Sequence, residues 1–199
     1  MPNILKKTGN ITRIIACAVF KPALEHLRLE DRYPDLRLTY LPSNLHMRPQ
    51  ELQKRLLKEI AAAKRRNERI ICLCGECFPG TDDLCQRQGA IKVPGHYCYE
   101  TLLGPERFRR LIDEMTGTYF LEKDLILNFK EFCMVPLELH DEEMRKYCFE
   151  RYQRLLYVRQ PSDPDLVPQA SELAEFLDLS LEITDADYSH LEKKLIELL

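Results

Sequence analysis

Short apolar runs rich in β-branched residues alternate along this chain with segments whose apolar positions recur every three to four residues. That alternation predicts strands and helices in turn. The run RIIACAVF at 13–20 reads as a first buried strand. It passes into Lys21-Pro22-Ala23, a helix start where proline forfeits no hydrogen bond, with Leu24 and Leu27 as the apolar edge. A second strand follows at 36–41. The segment 49–67 places Leu52, Leu56, Leu57, Ile60 and Ala63 along one stripe and charges on the other face, which predicts the longest helix. RIICLC at 69–74 is a third strand, broken by Gly75, Pro79 and Gly80. A short helix at 82–88 and a fourth strand at 91–93, ended by Pro94-Gly95, come next.

The second half repeats the pattern. Pro105 introduces a helix carrying Phe108, Leu111, Ile112 and Met115 and stopped at Gly117, and a strand follows at 118–121. A helix at 141–153 with Met144, Cys148 and Tyr152 leads to a strand at 155–158. The proline-rich surface loop 160–168 precedes a helix at 168–177, a strand at 179–183 and a last helix from 187. This is the sequence form of repeated βαβ units. It predicts an α/β fold, a mostly parallel sheet with helices on both faces in a Rossmann-like three-layer sandwich. A chain of 199 residues buries a full core as a single domain, expected over 13–199 behind an N-terminal arm at 1–12.

Composition narrows the function classes. With 31% charged residues and a formal net charge of -3, the chain offers no basic groove for nucleic acid and no polybasic membrane surface. The basic run Lys64-Arg65-Arg66 sits at a helix end, where cations oppose the helix dipole favourably. No run approaches the roughly 20 apolar residues that cross a bilayer, and the first dozen residues lack the core of a signal peptide. The expected compartment is the cytoplasm. Eight cysteines in so long and regular a chain are then expected as reduced thiols rather than staples. No P-loop, dinucleotide fingerprint or Gly-x-Ser-x-Gly elbow is present.

In open parallel sheets the ligand crevice forms at the carboxyl ends of the strands. Cys17 lies late in the first expected strand, Cys74 and Cys77 at and beyond the end of the third, and His96 and Cys98 beyond the fourth. If 96–98 is extended, His96 and Cys98 point to one side and Tyr97 to the other. Thiolates with imidazole favour zinc or iron over magnesium or calcium. The expected metal ligands are therefore Cys17, Cys77, His96 and Cys98. They hold either a zinc ion, or an iron–sulfur cluster on the three cysteines with one iron open. His46 and Glu76 are the candidates for proton handling.

The bland readings stand beside this one. Cys72, Cys74, Cys133 and Cys148 are expected as small apolar fillers, and Cys85 in its polar neighbourhood as a surface thiol. A redox reading of Cys74-x-x-Cys77 is opposed by Pro79-Gly80, which denies it the following helix. His26, His140 and His190 carry no expected role. The rival to a metal protein is a non-catalytic accessory module, its crevice gripping a cofactor or partner and its cysteines merely packed.

The residues Ile15-Ala16-Cys17, Leu45-His46, Arg48-Pro49, Gly75-Glu76-Cys77 with Gly80, His96-Tyr97-Cys98, Leu102-Leu103-Gly104 and Gly117-Thr118-Tyr119 carry a family resemblance. From about residue 13 onward the chain resembles the domain of unknown function 1638 family of archaea and bacteria. That family shows Tyr-Gly-x-Cys-Gly-x-Gly where this chain has Cys74 to Gly80, so the resemblance supports Cys77 and leaves Cys74 a departure. It shows His-Asp-Cys where Tyr97 stands between His96 and Cys98, so the acid is missing. The resemblance implies an α/β fold, a metal site and an association with corrinoid-dependent methyl transfer in anaerobes. The partners it implies are a small molecule, or a corrinoid or methyltransferase protein.

Overall fold

The computed structural model describes residues 11–199, so the expected arm lies almost wholly outside the described residues. Strand β1 (Thr12–Cys17) leads through a tight turn at Ala18–Phe20 into helices α1 (Lys21–His26) and α2 (Leu29–Arg32). Then come β2 (Leu36–Leu41), α3 (Pro49–Arg65), β3 (Arg69–Leu73), α4 (Thr81–Arg87), β4 (Ile91–Lys92), α5 (Cys98–Leu103) and α6 (Pro105–Glu114). The rest comprises β5 (Thr118–Leu121), α7 (Lys123–Leu127), α8 (Glu142–Phe149), β6 (Arg154–Arg159), α9 (Val167–Leu177), β7 (Ser180–Asp185) and α10 (Ser189–Leu198).

The α/β class holds, with every strand pair parallel, and the strands divide between two sheets. The first has the order β2-β1-β3-β4 and the second β5-β6-β7. The division falls after β4, which has two residues and pairs only with β3. Pro94, which has no N–H to donate, follows shortly after, so the ladder has nothing to extend. Strand β1 also ends sooner than its apolar run. Its last partners are Leu41 on β2 and, one residue earlier, Leu73 on β3, so Ala18 to Phe20 would find no ladder and turn instead.

Alternation along the strands sorts the core. Ile14 and Ala16 of β1 and Ile71 and Leu73 of β3 face a cluster that also takes Val158 of β6, Tyr188, and Leu191 and Leu195 of α10. This cluster therefore draws on both sheets. The opposite face of the first sheet, with Ile15, Ile70 and Cys72, packs on Leu52, Leu56 and Ile60 of α3. Leu155 and Tyr157 of β6 pack on Ala170 and Ala174 of α9. Each fully buried leucine or isoleucine contributes about 1.5–3 kcal/mol by leaving water.

Among the described residues no helix is long and apolar enough to cross a membrane. The helix expected over 141–153 stops at Phe149. Helix α5 was not expected; it buries Thr101, Leu102 and Leu103, and it begins at Cys98.

Candidate functional site

Parallel strands deliver their carboxyl ends to one edge, and at the first sheet that edge is lined with sulfur. Cys17 ends β1 in an extended conformation, and the turn that follows brings the Val19 N–H onto its sulfur. Beyond β3, Gly75 passes so close to the 96–98 segment that a Cβ there would lie 3.0 Å from the His96 carbonyl oxygen and 3.2 Å from the Cys98 nitrogen. A side chain could not be placed there without moving backbone. The Glu76 N–H donates to the His96 carbonyl at 2.7 Å, which clamps the two segments together. Cys77 is thereby set against Cys98, the first residue of α5.

The thiol of Cys98 is the hub. It neighbours both Cys17 and Cys77, and Cys77 in turn neighbours the imidazole of His46, which stands in the turn Ser43–Met47 between β2 and α3. The contact with Cys98 pulls the Cys17 thiol down from its ordinary range, helped by the Val19 N–H and opposed by burial. Cys77 is brought to about 5: the Cys98 thiol, His46 and the Gly75 amide stabilise its thiolate more than burial opposes it. Cys98 is pushed well up, because its proton is shared between Cys17 and Cys77 and its sulfur is buried. His46 is raised, first by its hydrogen bond with Cys77 and against burial. Cys17, Cys77 and Cys98 are partly exposed and His46 is exposed, so the row is open to solvent at its imidazole end.

His96 does not join this row. Cys98 packs against the core while His96 turns to solvent. The His96 side chain is 70% exposed, with Nδ1 3.1 Å from Glu76 Oε2. Glu76 thus serves His96 rather than the thiols. Cys74 and Cys72 are buried in the core against α3, as expected for fillers. Cys85, expected at the surface, is buried there too, because it lies beside Leu84 on the inner face of α4 and touches Cys72 while Asp82 and Asp83 face water. Cys133 is buried and Cys148 half-buried in the core of the second sheet.

The second sheet's carboxyl edge carries carboxylates that sequence reasoning passed over. Glu122 follows β5 and caps α7, accepting from the Asp124 N–H at 2.8 Å and the Leu125 N–H at 2.9 Å. It is 6% exposed, and burial, with the charges of Asp124 and Asp163, pushes its carboxyl up to about 7 against those two hydrogen bonds. Asp163 Oδ2 accepts from Tyr157 at 2.8 Å and from the Gln160 N–H at 2.9 Å, whereas its buried Oδ1 has no partner among the described residues. Gln160 bridges the edges: its Nε2 donates to the Val19 carbonyl at 3.4 Å and its Oε1 accepts from Tyr188 at 3.1 Å. A cleft of about 440 Å³ runs beside that bridge, lined by Ala18 and Lys21 from one edge and Lys123, Asp124 and Ser162 from the other. The same strand-end rule that singled out Cys17 points to Glu122, directly behind the apolar run 118–121.

Chemically the sulfur edge offers three soft donors and one borderline donor from four separate connections. Among the described residues no group of three or more His, Cys, Asp or Glu side chains is placed to hold a metal ion. The groups form a row of neighbours, Cys17 to Cys98 to Cys77 to His46. By ligand type the donor set suits zinc or another thiophilic ion.

Comparison with curated proteins and with solved structures finds no match. The family described as Protein of unknown function (DUF1638) matches residues 40–195, a span that includes His46, Cys77, His96 and Cys98 and begins after Cys17. With most of its length inside that match, the chain belongs to the DUF1638 family.

Proposed function

We propose that this protein binds one thiophilic metal ion, zinc first among them, through Cys17, Cys77, Cys98 and His46. The observation that carries the reading is the proximity of three thiols and an imidazole drawn from four different strand-end connections. The filler pair Cys72 and Cys85 is shut in the core and Cys133 stands apart in the second sheet, whereas this group combines sulfur with an exposed imidazole at the strand ends. Two further features favour it. Cys77 and Cys17 are biased toward thiolate, the form that ligates metals, and the exposed imidazole is the ligand that can leave. With all four groups engaged such a site is closed and structural. With His46 released it has a position for water or a substrate thiol. In that open form an ion supplies Lewis acidity and an activated thiolate, the chemistry that a methyl acceptor needs. The corrinoid association rests on the family resemblance.

The test is elemental analysis and an absorbance spectrum of the anaerobically purified full chain, followed by titration of the metal-free protein with zinc. The expected result is one equivalent of zinc bound per chain with release of protons from the thiols. A brown iron–sulfur absorbance would transfer the three cysteines to a cluster. Absence of any stoichiometric metal under both conditions would leave the accessory-module reading in its place.

A further inference from the structure

The exposed apolar side chains are not spread evenly over the surface. Of the eleven large ones among the described residues, Leu127, Val135, Leu137, Met144, Tyr147 and Tyr152 fall between positions 127 and 152. A concentration of this kind marks an interaction surface, whereas apolar residues exposed singly mark nothing. Tyr147 on α8 is the most exposed of them, at 74%. Helix α8 turns Arg145, Cys148 and Phe149 toward the second sheet's core and leaves its other side in water. That outer side runs through Glu143, Tyr147 and Arg151, spaced one helical turn apart and all exposed. The backbone is still helical at Glu150, so Arg151 keeps the alignment. Lys146 pairs with Glu142 within the helix, whereas Arg151 reaches only Glu150, at 3.8 Å, with its side chain 92% exposed. An acid one turn before the tyrosine and a base one turn after it make this stripe its own complement when it is read backwards. Such a match is what an isologous twofold contact requires, since residue i there meets j and j meets i.

We propose that this protein forms a twofold dimer in which α8 of one copy lies antiparallel on α8 of a second copy. The axis passes between the two Tyr147 rings. Glu143 faces Arg151 of the second copy and Arg151 faces its Glu143, so an ion pair flanks the rings on either side. A parallel arrangement would set like charges opposite each other, so the charges specify the antiparallel one. Aromatic side chains at the centre and charges at the rim are the usual anatomy of a protein interface. One helix pair is small beside the roughly 1,200–2,000 Å² that stable interfaces bury, so the association is reversible and depends on concentration. The surface shares no residue with the sulfur edge, and the dimer and the metal reading stand or fall separately.

The experiment is sedimentation equilibrium of the full chain under reducing conditions, from about 1 μM to about 1 mM. The expected result is a monomer–dimer equilibrium. Tyr147→Glu sets carboxylates against each other at the axis and should abolish the dimer. Glu143→Arg or Arg151→Glu alone places like charges opposite each other on both sides of the axis and should weaken it by about 10-fold or more. The two substitutions together restore the pairing with its signs exchanged and should return the dissociation constant close to its starting value. Ile196→Glu, at an exposed apolar position on α10, should change nothing. All of these side chains are exposed, so the variants keep the fold, which circular dichroism checks. A native chain that stays monomeric over the whole range, a dimer that survives Tyr147→Glu, or a double variant that dimerises no better than the single ones would each overturn the proposal.

Discussion

The two sheets end on edges of similar backbone geometry and opposite chemistry. At the first, Cys17, Cys77 and Cys98 stand in contact, and hydrogen bonds from a neighbouring thiol and from backbone amides favour the charged form of Cys17 and Cys77. At the second, Glu122 is buried and held up to about 7, and Asp163 keeps one oxygen without a partner among the described residues. The difference lies in what surrounds the group. A thiol beside donors loses its proton readily, whereas a carboxyl walled by apolar neighbours and other carboxylates keeps its own. Parallel strands supply the edge, and the residues just past their ends decide its use.

The comparison breaks most directly at the hub. Cys98→Ser should weaken zinc binding by more than the roughly 10–100-fold that loss of a mere supporting group costs, measured by competition with a chromophoric chelator, while Glu122→Gln leaves it unchanged. Equal losses in the two variants would make the edges a single site. Glu122 gives the next largest effect. Its folded-state carboxyl is raised above the ordinary value, so its stabilising contribution is full below about 4.5 and is lost as pH rises toward about 7. The loss is about 3 kcal/mol at most, from roughly 1.4 kcal/mol per pH unit. Denaturant unfolding of Glu122→Gln across that window should be flatter by this amount, since the amide oxygen still caps α7 without titrating.

A smaller effect separates the two histidines. His46→Gln should weaken zinc binding about 10-fold or more, as loss of a ligand requires, and His96→Gln should leave it as it was. The reverse pattern would restore the His96 site that the sequence suggested. Smallest is Tyr157→Phe, which removes one of the two donors to Asp163 Oδ2 and should cost about 1 kcal/mol in thermal or denaturant unfolding without touching metal affinity.

How much of this could be read from the chain alone follows from which residues decide it. The strand–helix alternation was legible because runs such as RIIAC and the stripe from Leu52 to Ala63 carry their periods openly. The division into two sheets was not, because it depends on β4 contributing only Ile91 and Lys92 to the ladder. The strand-end rule brought Cys17, Cys77 and Cys98 into view from far apart in the sequence. With them it named His96, expected beside Cys98, whereas the His96 side chain is 70% exposed beside Glu76 and His46 is the imidazole that neighbours Cys77. Helix α5, which begins at Cys98 and buries Leu102 and Leu103, was not legible either, because its six residues are too short to show a period. Glu122 lay within reach of the same rule, but a single glutamate behind an apolar run reads as a solvated carboxylate until tertiary packing leaves it 6% exposed.

The central claim is that Cys17, Cys77, Cys98 and His46 act as one donor set. X-ray absorption at the zinc edge of the loaded protein tests it most directly. Sulfur neighbours at about 2.3 Å outnumbering a single nitrogen at about 2.0–2.1 Å, with the nitrogen lost in His46→Gln and kept in His96→Gln, is the outcome expected. A shell of light atoms without sulfur, or a nitrogen that disappears only with His96, would contradict it.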